Sequence, residues 1–172
     1  MRTIRMRTIA CAVAMAAMLS LAPLSAQTTQ AALSREAGTL SNKFTGLARV
    51  MAGKYDWKPG EGVRSVGDVF NLIVTENGLL AATLTGAGGG GGRGAQAVAP
   101  DKMQEALKTS YANVQKAIEG LSDADLKATV KIFGKDMTKE DAVRYLFGDQ
   151  HEHLGQSIAY ARSNGVVPPW SK

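Results

Sequence analysis

TKEDAVRYLFGDQHEHLGQSIAYARSNGVVPPW, residues 138–170, is the stretch whose reading decides the fold. Val143, Leu146, Phe147, Leu154, Ile158 and Ala161 recur at steps of three and four, as the apolar stripe of one long helix requires. Thr138 is placed to cap its start, with Asp141 three residues on as reciprocal partner and as negative charge in the first turn. Asn164-Gly165 stops the helix, and Pro168-Pro169 cannot continue it. Within it, Asp149 and His153 stand four residues apart and so share a face. His151 lies about 200° around the axis from His153, so one ion cannot easily take both imidazoles. His151 therefore reads as exposed or packed on a neighbouring helix.

Working outward, residues 1–26 read as a secretory signal peptide. Arg2, Arg5 and Arg7 form a charged start, residues 9–22 a mostly apolar run, and Ser25-Ala26 small residues ahead of an expected cleavage after Ala26, with Leu24 standing where a small residue is preferred. The run is short for a membrane anchor. MRTI occurs at 1–4 and again at 6–9, so Met6 is an alternative start. Export places the mature chain in the periplasm or outside the cell, with no membrane contact after cleavage. Losing three arginines lowers the formal net charge from +5 to +2, and no basic stripe with interleaved aromatics remains to meet a nucleic acid. Cys11 leaves with the signal, so residues 27–172 form one domain that rests on its core alone.

The rest of that domain reads as helices. Residues 27–33 read as a frayed lead-in, and Ser34 as the start of a first helix bearing Leu40, Phe44, Leu47 and Val50. Tyr55 and Trp57 sit in a connecting loop and read as seals on the bundle end. Ser65-Val66-Gly67-Asp68 is a capping box opening a second helix with Val69, Phe70, Leu72, Ile73, Leu79 and Leu80. Residues 87–99 form a glycine-rich loop; its tract at 88–94 lacks the strand and the Lys-Ser/Thr pair of a phosphate-binding loop. Pro100-Asp101 opens a third helix through Met103, Leu107, Tyr111, Val114 and Ile118, ended by Gly120. Residues 122–125 read as a capped turn, 126–133 as an extended segment, and Gly134-Lys135-Asp136 as the turn into the last helix. The fold class is all-α: a four-helix bundle with a short extended segment before the last helix.

Three blocks then carry a resemblance: YDWKPGEGVRSVGDVF at 55–70, the helix reaching Glu76-Asn77, and HEHLGQSIAYARSNGVVPPW at 151–170. Together they resemble the DinB-like superfamily (DinB/YfiT-like metalloenzymes) over nearly the whole mature chain. The resemblance implies an up-down-down-up four-helix bundle. It implies a divalent metal, often nickel or zinc, on one histidine of helix 2 and an H-x3-H pair of the last helix, and in some members thiol-dependent transfer or hydrolysis. Carried over by position, the last-helix pair falls on His153 and Asp149, and the helix-2 ligand on Leu72, which cannot ligate. The triad is degenerate.

Three readings of the site stay open. Glu76, one turn beyond Leu72, can join Asp149 and His153 in a rearranged set of one histidine and two carboxylates suited to zinc, nickel, iron or manganese. Alternatively the metal is lost and the pocket binds a small molecule or partner without chemistry. In the third reading Asp149 and His153 are a structural pair. Gln156, Tyr160 and Arg162 read as loop anchors and Trp170 as a cover on the core. The leading expectation for function is a metal-degenerate or non-catalytic binding bundle, with a homodimer compatible with its faces. The alternative is a divalent-metal-dependent hydrolase or thiol/group transferase. No serine sits in a nucleophile elbow, and residues 27–172 hold no cysteine.

Overall fold

The structure is a computed structural model that describes residues 28–87 and 97–171. The signal-peptide reading of 1–26 and the glycine tract at 88–94 lie outside the described residues. The elements are α1 (Thr29–Val50), α2 (Val66–Thr85), a 3-10 turn (Pro100–Lys102) leading into α3 (Met103–Glu119), the short α4 (Asp123–Lys127), β1 (Thr129–Ile132), β2 (Lys135–Thr138) and α5 (Lys139–Ser163).

Three of the four long helices, α1, α2 and α5, start at a side-chain cap, whereas α3 is entered through the Pro100–Lys102 turn without one. Ser65 Oγ accepts from Asp68 N–H, and Asp68 Oδ2 accepts in return from Ser65 N–H at 2.9 Å. Those bonds from Ser65 hold the Asp68 carboxyl below its usual range. Thr138 caps α5 by accepting from Asp141 N–H. Two expectations are corrected at this level. The first helix begins at Thr29, because Thr28 Oγ1 accepts from Ala31 N–H and so caps the chain before the apolar stripe becomes evident. Residues 29–33 of the expected 27–33 lead-in are therefore helical. The extended segment before the last helix is half of a hairpin: β1 pairs antiparallel with β2, Thr129 facing Thr138 and Ile132 facing Lys135. The turn is Phe133-Gly134, with φ of 49° and 78°, the two-residue geometry whose twist suits a hairpin. Lys135 and Asp136 thus lie in a strand, which their polar side chains did not suggest.

Side-chain bonds fix the helix directions. Asn77 on α2 reaches Ser110 on α3, and Leu84 and Ala117 share one groove further along, so α2 and α3 run parallel. Lys139 Nζ donates to Leu84 O while, at the far end of α5, Tyr160 donates to Arg64 O, so α5 opposes α2. Ser34 donates to Glu119, and Thr45 shares a groove with Lys108, so α1 opposes α3. This is an up-down-down-up bundle. Two parallel neighbours need a return connection; its far end is pinned where Val98 N–H donates to Asn71 Oδ1 at 2.7 Å.

The core is continuous. Leu40, Phe44 and Leu47 of α1 meet Val69, Phe70 and Ile73 of α2, Leu107, Tyr111 and Val114 of α3, and Val143, Leu146 and Phe147 of α5, all buried. Phe44 stacks on Tyr111 and meets Phe70 edge-on, and Tyr55 meets Phe70 edge-on. Each such pair adds about 0.5–1.5 kcal/mol to its burial. Tyr55 also donates to Ala48 O at 2.8 Å, which closes the α1–α2 loop over the bundle end.

Candidate metal centre

The periodicity that builds α2 also puts its polar residues inside. Phe70, Ile73, Leu80 and Leu84 line the core, and positions 76 and 77 fall between them on the same face. Glu76 is 7% exposed and Asn77 fully buried. Likewise Val143, Leu146, Phe147 and Leu154 of α5 carry Gln150 inward with them. Asp149 and His153 flank that row, with side chains 42% and 16% exposed, so the site opens to solvent at Asp149.

Between α2 and α5, Glu76, Asp149 and His153 each offer one ligand atom within 4.8 Å of the others. His153 Nε2 stands 3.5 Å from Asp149 Oδ2. Glu76 Oε2 is buried and has no hydrogen-bond partner; Gln30 Oε1 and Thr45 Oγ1 share that condition among the described residues, but neither is an ionisable group. Burial pushes the Glu76 carboxyl up to about 8, helped by the negative charge of Asp149 and by a hydrogen bond shared with it, and opposed by a hydrogen bond from Gln150 and the charge of Arg64. A buried carboxyl faced by a second carboxylate and an imidazole is completed either by a proton or by a cation that displaces it. One nitrogen and two oxygen donors form a set that zinc, nickel, iron and manganese all accept. The residues fit a divalent metal.

Leu72, where the resemblance places a histidine, is half-buried one turn before Glu76 and offers only hydrocarbon. His151 lies outside the cluster: its Nε2 is 3.0 Å from Glu36 on α1, on an exposed face. Tyr160 does anchor a loop, through Arg64 O. Arg162 is exposed in the last turn of α5, and Trp170 is partly exposed with Lys43 Nζ over its ring. Gln156 departs from the loop-anchor expectation, because its Oε1 lies 2.9 Å from His153 Nδ1. That contact spans one helical turn and its spacing was visible in the sequence; its partner was not.

Sequence reasoning also missed a buried polar chain behind the cluster. Tyr111 OH donates to Gln150 Oε1 at 2.9 Å, Gln150 Nε2 to Asn77 Oδ1 at 3.0 Å, and Asn77 Nδ2 to Ser110 Oγ at 3.0 Å. Ser110 Oγ closes the chain on Leu107 O. Polar residues at core positions of the helical period, Asn77 and Gln150 above all, were the available signal.

An up-down-down-up bundle with a His/carboxylate cluster between its second and last long helices defines a class of fold. No protein-family model matches the sequence, and no curated protein matches it. Solved structures do. A DinB-like protein of Bacillus subtilis, YjoA, superposes with a TM-score of 0.67 at 18% identity, covering 79% of this chain and 93% of its own. A DinB-like protein of Bacillus cereus gives 0.68 at 17% identity, covering 81% and 95%. The chain has the DinB-like fold.

Proposed function

We propose that the protein is an exported bundle that holds one divalent cation on Glu76, Asp149 and His153 and uses it for hydrolysis or group transfer on a small molecule. The observation that carries this reading is the convergence of Glu76, Asp149 and His153, each with one ligand atom within 4.8 Å of the others, around a buried carboxyl. A carboxylate is retained in such a place when something charged completes it. A cation there supplies Lewis acidity, polarising a carbonyl or phosphoryl oxygen and lowering the pKa of water. The chain supplies the rest. Glu76, giving up its proton, would hold such a cation together with His153 and with Asp149, which lies on the solvent-exposed side of the cluster. Without a cysteine in residues 27–172, a thiol in the reaction would come from the substrate side.

The test is elemental analysis of the chain expressed with its own leader and purified without a His-tag or chelator. Near-stoichiometric zinc, nickel, iron or manganese is expected, with an intact mass that begins at Gln27. His153→Ala should lose the metal and the thermal stabilisation that metal gives. Full loading of His153→Ala would remove that residue from the site. A metal-free protein that gains no stability from any of these ions would leave a bundle that binds small molecules or partners without chemistry.

A further inference from the structure

We propose that Gln156 and Tyr160 form a relay that presets the tautomer of His153, turning the Nε2 lone pair toward Asp149 and Glu76. The inference rests on the metal reading for its purpose but not for its geometry. The relay starts at the carbonyl of Arg64, immediately before the cap of α2. A backbone carbonyl has no proton to give, so Tyr160 O–H must donate to it, at 3.2 Å. The hydroxyl oxygen is then left as acceptor, and Gln156 Nε2 donates to it at 2.7 Å. With its NH2 spent on Tyr160, Gln156 presents Oε1 to His153 Nδ1 at 2.9 Å. An amide oxygen only accepts, so Nδ1 carries the proton. The neutral ring therefore keeps its lone pair on Nε2, the atom 3.5 Å from Asp149 Oδ2.

The relay is itself held in place. Trp57 packs edge-on against Tyr160 at 5.2 Å, and Trp57 O accepts from Val66 N–H, tying the loop to the first turn of α2. Ser157 Oγ occupies His153 O, and Asn164 Nδ2 occupies Tyr160 O, so both backbone acceptors near the relay are taken. An exposed neutral histidine ordinarily favours the Nε2–H form, which would point a proton at the metal position. Gln156 reverses that preference. A hydrogen-bond acceptor on the far nitrogen of a ligating imidazole fixes the ring orientation and raises its basicity as a ligand. Gln156 and Tyr160 are thus positioning residues for His153.

Residues 28–171 contain only two histidines, which makes the test direct. His151→Gln removes the exposed imidazole and leaves His153 alone. Long-range proton–nitrogen NMR on metal-free, 15N-labelled protein near about pH 9, where imidazoles are ordinarily neutral, reads the tautomer. Nδ1–H is expected in the parent and in Gln156→Glu, which keeps an acceptor oxygen. Gln156→Leu should revert to Nε2–H, and zinc affinity should fall about 10–100-fold. Tyr160→Phe cuts the relay one bond further out and should give a mixture of the two forms, and it stands in if Gln156→Leu does not fold. Nε2–H in the parent, or an unchanged Nδ1–H in Gln156→Leu, would overturn the relay. A parent that shows Nδ1–H yet binds no zinc would sink the metal reading and leave the relay standing.

Discussion

Glu76 holds a proton that a surface glutamate would have lost. Its carboxyl is pushed up to about 8, chiefly by burial, from an ordinary value of 4.5. Between these values the folded chain binds more protons at this site than the unfolded chain does. Stability from this group is therefore greatest below the unfolded value and falls as pH rises toward about 8. The sign is opposite to that of a salt-bridged carboxylate. At 7% exposure little solvent screening applies, so the full loss is on the order of a few kcal/mol. Glu76→Gln removes the titration while keeping the shape. In metal-free protein it should raise stability at pH 8 by about 1–3 kcal/mol and leave it almost unchanged near pH 4.5. Urea unfolding at the two pH values measures this, and a parent whose stability climbs from pH 4.5 to 8 while the variant's does not would contradict it.

At the scale of elements, α2 is aimed by one close approach. Gly67 N–H donates to Tyr55 O at 2.8 Å, and a Cβ at position 67 would meet that oxygen and Tyr55 Cβ, each at 3.2 Å. The oxygen belongs to backbone and cannot step aside as a side chain tip would. Gly67→Ala should cost about 1–3 kcal/mol and displace the start of α2, which carries Glu76 two and a half turns on. A thermal melt unchanged within error would show that the loop gives way freely. This contact was invisible in the sequence, where Gly67 reads as part of a capping box and Tyr55 as a loop aromatic. The caps themselves were legible, because Ser65 and Asp68, or Thr138 and Asp141, need only local spacing. The hairpin was half legible: Thr129, Val130 and Ile132 have strand character, whereas Lys135 and Asp136 are in a strand because of pairing across the turn. The cluster was legible as a pair on α5, since Asp149 and His153 lie one turn apart. Glu76 entered as a candidate by its distance from Leu72, but its burial depended on which face α2 turns inward. The buried chain from Tyr111 to Ser110 depends on three helices at once, and no local pattern announces it.

Across the whole molecule, most of the buried polar side chains form one stratum between apolar layers, with Ser34 and Ser157 apart from it. Glu76, Asn77, Ser110, Tyr111 and Gln150 lie at one level of α2, α3 and α5, with Phe44 stacked on Tyr111 at its edge. Its amides and hydroxyls satisfy one another, so the stratum costs little in itself. The exception is the carboxyl that faces Asp149 and His153. A bundle whose only aim was stability would place a leucine there, as it does at Leu72 and Leu80. The exception therefore marks where folding and function pull apart, and it sets how the two are linked. A cation that binds the folded chain must displace the proton from Glu76, so binding tightens as pH rises and that proton is surrendered more easily. Apparent affinity for zinc or manganese should rise at least about tenfold from pH 6 to pH 8, which corresponds to about 1.4 kcal/mol of added stabilisation at a fixed metal concentration. The metal-free chain loses stability over the same interval through that same proton, so the gap between loaded and empty melting curves should widen because the empty curve falls while the loaded one stays nearly level. Glu76→Gln should flatten the metal-free curve, weaken binding, and remove this widening of the gap with pH. A gap of constant width from pH 6 to 8 in the parent would mean that the cation does not compete with the Glu76 proton, and Glu76 would then lie outside the site.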